Sequence, residues 1–140
     1  MSSVVVLAVA VAIPGCGGSY PKATLATPHP VHGKITFPDK TPLRGGIIYF
    51  IPYEIDTSAG ILYEAAALID ANGNYKLGYN GDTSGAPAGD YKVTIMPRDY
   101  QELPSSNSSK IPKTYHEKST TPLSKVTVKE GDNEMNFVLQ

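Results

Sequence analysis

The sequence predicts an all-β fold, and three observations carry the prediction. Residues 89–96 (Gly-Asp-Tyr-Lys-Val-Thr-Ile-Met) put Tyr91, Val93 and Ile95 on one face and Lys92, Thr94 and Met96 on the other. That is the period of two of a half-buried strand. Asn72-Gly73 stands between two alternating runs, a hairpin mark because both residues tolerate positive φ. The 140 residues include 12 Pro and 13 Gly, which favours turns and short strands over long helices. The length suits one domain plus a short N-terminal extension. A net charge of −1 with no basic run gives no footprint for nucleic acid. The single cysteine excludes an internal disulfide and any multi-thiolate metal site, and no cofactor is expected.

Taken in order, the chain opens with an unbroken apolar run at residues 4–13, followed by Pro14-Gly15-Cys16-Gly17-Gly18. Ten apolar residues are too few to span a bilayer as a helix but suit the core of a secretory signal. A lone cysteine directly after such a run, with glycines around it, resembles the lipobox of bacterial lipoproteins, from which Pro14 departs. The resemblance implies a signal at 1–16, lipidation of Cys16 and a protein held at a membrane by its acyl chains. A plain signal peptide, or an apolar first strand with a buried thiol, are the alternatives. Residues 17–30 read as an extended tether rich in Pro, Thr and Ala, leaving 31–140 as the domain.

Val31, Gly33, Ile35 and Phe37 alternate with His32, Lys34 and Thr36, giving a first strand. Ile47-Ile48-Tyr49-Phe50-Ile51 is apolar on both faces and predicts a central strand that Pro52 stops. Residues 61–69 put Ile61, Tyr63, Ala65, Ala67 and Ile69 on one face. Their alanines favour helix, but the hairpin signal that follows favours strand. Tyr75, Leu77 and Tyr79 are expected to face inward. Asp70-Ala71-Asn72-Gly73-Asn74 resembles the start of a calcium loop. However, Tyr75 stands where the glycine is needed and Gly81 where the glutamate is, so turn chemistry is the reading. After Gly89–Met96 and Pro97, residues 98–122 form a long loop before the final strands. Its middle, 105–110, is solvated in composition, and Ile111 or Tyr115 is expected to re-anchor it on the sheet. A hairpin is expected to close the chain, from residues 123–128 through Lys129-Glu130-Gly131-Asp132-Asn133 to Met135, Phe137 and Leu139.

Four motifs in order carry a second resemblance: Val31-His32-Gly33-Lys34-Ile35, Thr41-Pro42-Leu43-Arg44-Gly45-Gly46, Ile69-Asp70-Ala71-Asn72-Gly73-Asn74-Tyr75 and Ala88-Gly89-Asp90-Tyr91-Lys92-Val93-Thr94. Over residues 31–97 the chain resembles carboxypeptidase regulatory-like domains, relatives of the transthyretin-like β-sandwich. The resemblance implies a seven-stranded antiparallel β-sandwich, transthyretin- or immunoglobulin-like, in a non-catalytic accessory or adhesion role. Independently of it, Gly33 leaves room for another backbone or ring. Tyr75 and Tyr91 each follow a turn, where a buried ring can give its hydroxyl to a loop carbonyl.

The expected function is a non-enzymatic, lipid-anchored module of the bacterial cell envelope. It would face the periplasm or exterior and act in structure or in binding envelope proteins or glycans. The alternative is a secreted carbohydrate-binding domain using Tyr53, Tyr79, Tyr100 and Tyr115 as surface rings, against which the lack of Trp counts. A hydrolase is less favoured. The chain has Phe137-Val138-Leu139-Gln140 where urate-pathway hydrolases of related shape carry Tyr-Arg-Gly-Ser, and it has no Gly-x-Ser-x-Gly elbow. His29, His32 and His116 sit at or outside strand boundaries and do not compose a metal site.

Overall fold

The computed structural model describes residues 15, 17, 24–53, 62–98 and 104–140; Cys16, Tyr100 and the apolar run at 4–13 lie outside them. The regular structure described is strand throughout, apart from two single-turn 3-10 segments at Ser108–Lys110 and Lys113–His116. The strands are β1 (Pro28–His29), β2 (Val31–Thr36), β3 (Ile47–Pro52), β4 (Ala65–Leu68), β5 (Asn74–Lys76), β6 (Ala86–Pro87), β7 (Gly89–Met96), β8 (Val126–Val128), β9 (Asn133–Glu134) and β10 (Phe137–Val138).

Four strands form the larger sheet in the order β4-β3-β7-β8, every pair antiparallel. β3 is central, as its two apolar faces require. Ile48 lies beside Ala67 and Ile95, and Phe50 beside Ala65 and Val93, an inward face on which Ile48, Phe50, Ala65, Val93 and Ile95 are fully buried. The helix alternative for the alanine run is lost to this pairing, since burial of Ala65 against β3 outweighs intrinsic propensity. In the smaller sheet β2 is flanked by β5 on one side and by β9 and β10 on the other. Rings join the two layers through a shared core. Tyr91 and Phe50 lie 5.8 Å apart, Phe50 and Phe137 6.3 Å, and Phe137 and Tyr75 6.4 Å, all within the range of favourable aromatic pairs.

Three expectations about connections are corrected. The final residues form no hairpin. β8 pairs antiparallel with β7, whereas β9 and β10 run parallel to β2 in the other sheet, so the fold is not wholly antiparallel. The cause is Asn133, which is buried. Its side-chain oxygen accepts from the Lys129 N–H (2.9 Å), and its amide donates to the carbonyls of Lys129 (2.8 Å), Gly131 (3.0 Å) and Pro30 (3.2 Å). The turn is thereby tied to the entry of β2 instead of folding back on β8. The Asn72-Gly73 turn does join antiparallel runs, with Ala66 paired to Gly78 and the Asp70 N–H bonded to the Asn74 carbonyl (3.0 Å), but the strands on its two sides belong to different sheets. Gly73 alone takes a positive φ (+83°), and the Asp70 carboxylate accepts from the N–H groups of Asn72 (2.8 Å) and Asn74 (2.9 Å). β4 then pairs with β3 and β5 with β2. Tyr75 and Leu77 face inward as expected, but Tyr79 is exposed, because strand structure ends at Lys76.

The third correction concerns residues 105–110, which are docked through Asn107 and Ser108 while Ser105, Ser106, Ser109 and Lys110 stay exposed as their composition predicts. Asn107 accepts from the Arg44 N–H (2.7 Å) and donates through Nδ2 to the Pro42 carbonyl (3.1 Å), while its own N–H reaches the Arg44 carbonyl (3.1 Å). Ser108 is buried. Beyond this clip, Ile111 and Tyr115 enter the core, the re-anchoring the sequence predicted. Thr121 Oγ1 donates to the Val93 carbonyl, and Val93 N–H to the Leu123 carbonyl, so residues 121–123 prolong the β8 edge along β7. Sheet pairing also begins earlier than residue 31, since Pro28 and His29 of the expected tether pair with Pro87 and Ala86.

Candidate functional site

The sequence-predicted tyrosines are not brought together. Tyr115 is buried, and its hydroxyl accepts the Gln140 N–H (3.0 Å), so it serves the core and is not a surface ring. Tyr53 is exposed just past β3, with the ammonium groups of Lys92 and Lys125 at 5.4 and 5.8 Å from its ring centroid. Lys125 also lies 3.6 Å from Asp90. Tyr79 leans on Tyr63, with centroids 4.6 Å apart. The Tyr63 hydroxyl is pushed above its ordinary range by burial, with smaller effects from Asp82 and Tyr79. Tyr100 and Cys16 lie outside the described residues.

Two of the histidines and several carboxylates hold turns. His29 Nδ1 accepts the Gly131 N–H (3.1 Å), and His32 Nε2 lies 3.0 and 3.1 Å from the two oxygens of Asp132, so both brace the turn before β9. Asp82 accepts from the Ser84 N–H and hydroxyl and from the Tyr79 N–H, which holds its carboxyl below the usual range. The Thr41 N–H does the same for Asp39. Among the described residues no three His, Cys, Asp or Glu side chains are grouped to hold a metal ion.

What the topology does assemble is a groove of about 930 Å³ over the outer face of the smaller sheet. Its floor is the polar face of β2, with Lys34 directly across from Asn74 and His32 across from Lys76. β9 and β10 add Glu134 and Val138, and Asn136 between them holds the Lys34 N–H through its side-chain oxygen (2.8 Å). Residues 66–68 and 81–83 form the far wall. Alternation in the sequence singled out His32, Lys34 and Thr36 as one outward face. The partners from β5, β9 and β10 were missed, because the parallel crossover that delivers them leaves no local signal.

Comparison of the chain with protein-family models, curated proteins and solved structures finds no match.

Proposed function

We propose that this chain is a lipid-anchored, non-enzymatic module of the bacterial cell envelope, whose domain is a β-sandwich of the carboxypeptidase regulatory-like kind. The observation that carries the reading is the apolar run at 4–13 followed by Pro14-Gly15-Cys16-Gly17-Gly18, ahead of a domain whose described residues form strands and two short 3-10 turns. A thiol there accepts a diacylglyceryl group, and two or more acyl chains hold a protein stably where one does not. The domain supports the binding half of the reading through where its polar groups go. The hydroxyls of Tyr75 and Tyr91 bond to the carbonyls of Met135 and Pro87, and Asp70 and Asp82 close turns. Those groups maintain shape, which suits a surface that binds.

The test is an intact mass of the protein expressed with its own N-terminus in a bacterial envelope and extracted in detergent. The expected product starts at Cys16 and carries added acyl mass. A product cut near the same place with a free thiol would make the protein a secreted binding domain, and an uncut chain would overturn the anchor.

A further inference from the structure

We infer that the groove over β2 and β5 binds a neutral oligosaccharide, a proposal that rests on the reading of the domain as a binding module. Its volume of about 930 Å³ lies in the range of small-ligand sites. Three side chains on its floor, Lys34, Asn74 and Lys76, meet no hydrogen-bond or ion-pair partner among the described residues, although Lys34 and Asn74 stand face to face on neighbouring strands. A rigid sheet therefore holds idle donors and an idle amide pointing the same way, as recognition of ring hydroxyls requires.

The lining also narrows the ligand class. Lys34 and Lys76 are offset by Asp70, Asp82 and Glu134, so the groove has no field that would select a polyanion. Two exposed apolar side chains line it, Leu68 (56% exposed) and Val138 (49% exposed), suited to the C–H faces of sugar rings. On the β5 side, a peptide adding as a further strand finds the neighbouring backbone already used. The Ala66 N–H and carbonyl are both paired with Gly78 (2.9 and 3.0 Å), and the Asn74 carbonyl takes the Asp70 N–H (3.0 Å).

The experiment is calorimetric titration of the full chain, held in a sugar-free detergent, with cellohexaose, maltohexaose and chitohexaose in turn. At least one is expected to bind with a dissociation constant between about 10 μM and 1 mM. Asn74→Ala and Lys34→Ala, both at exposed positions, should each weaken that binding at least about tenfold, while Tyr53→Ala leaves it unchanged. No binding of any of the three at about 5 mM would overturn the proposal, as would binding that both groove variants leave intact. If the groove variants instead change the sedimentation of the unliganded protein, the face is a contact between copies of the chain and the proposal fails. None of these outcomes bears on the acyl mass at Cys16, so a failure here and a failure of the anchor are read separately.

Discussion

Tyr75 lies directly across from Gly33, and its hydroxyl donates to the Met135 carbonyl at 2.7 Å. That carbonyl occupies the space a side chain on Gly33 would need, since a Cβ there would sit 1.7 Å from the Met135 oxygen. The missing side chain of β2 is thus replaced from both flanks, by a tyrosine from β5 and by the backbone between β9 and β10. Gly33→Ala should displace the C-terminal strand and cost more than about 3 kcal/mol or prevent folding, an overpacking with backbone on the other side. Tyr75→Phe leaves a buried carbonyl without its donor and should cost about 1–2 kcal/mol. Urea unfolding of the two variants checks the order; equal losses would remove Gly33 from its assigned role.

Tyr75 and a second buried tyrosine, Tyr91, make stability fall at high pH. Burial pushes the hydroxyls of Tyr75 and Tyr91 well above their ordinary range, so the folded protein keeps protons that the unfolded chain releases above about pH 10. Their contribution is complete below that pH and is lost as the pH climbs toward the raised folded values. Each should take away up to about 1.4 kcal/mol per pH unit in that window. Unfolding curves between pH 8 and 12 (about the range of tyrosine titration) should show a steepening slope that Tyr91→Phe makes shallower. An unchanged slope in that variant would contradict the assignment.

Much of this was legible in the sequence where it depended on local alternation. Tyr91, Val93 and Ile95 are buried as their spacing required, and Ile48 and Phe50 lie at the centre of the larger sheet as their apolar run required. What was not legible depended on single polar side chains acting over long distances. The groove exists because β10 comes to lie beside β2, which follows from where Asn133 sends the chain, and composition gave no sign that Asn107 and Ser108 dock within the otherwise exposed residues 105–110.

Asn107 supplies the next expectation. Its side chain bonds to both Arg44 and Pro42, clipping the loop that ends in the core residues Ile111 and Tyr115. Asn107→Ala removes both side-chain bonds and strands a part-buried N–H and carbonyl, at a cost of about 1–3 kcal/mol. Asn107→Asp keeps the acceptor for Arg44 but turns its other oxygen toward the Pro42 carbonyl; with one such carbonyl at a half-buried site, it should fall between the alanine variant and the native protein. Hydrogen exchange should locate the loosening in residues 104–123 with β3 still protected. Uniform loss of protection across β3 and β7 would mean that the clip does not act on the loop alone.

Asn133 gives the sharpest contrast, because its amide faces three carbonyl oxygens while its own oxygen receives one N–H. Asn133→Ala breaks the whole set in a buried position and should cost about 2–4 kcal/mol. Asn133→Asp keeps the bond from Lys129 but turns a carboxylate oxygen toward the carbonyls of Lys129, Gly131 and Pro30, so near neutral pH it should be the worse of the two. The introduced carboxyl would be held protonated in the fold, with its pKa raised above the unfolded value of about 3.9. Its stability is then retained below that value and lost as the pH rises through the folded one. The aspartate variant should therefore approach or pass the alanine variant in stability on acidification. Parallel denaturation series at acidic and neutral pH decide the matter: if the gap between the variants does not change with pH, the introduced carboxyl is not facing those carbonyls and the turn has opened.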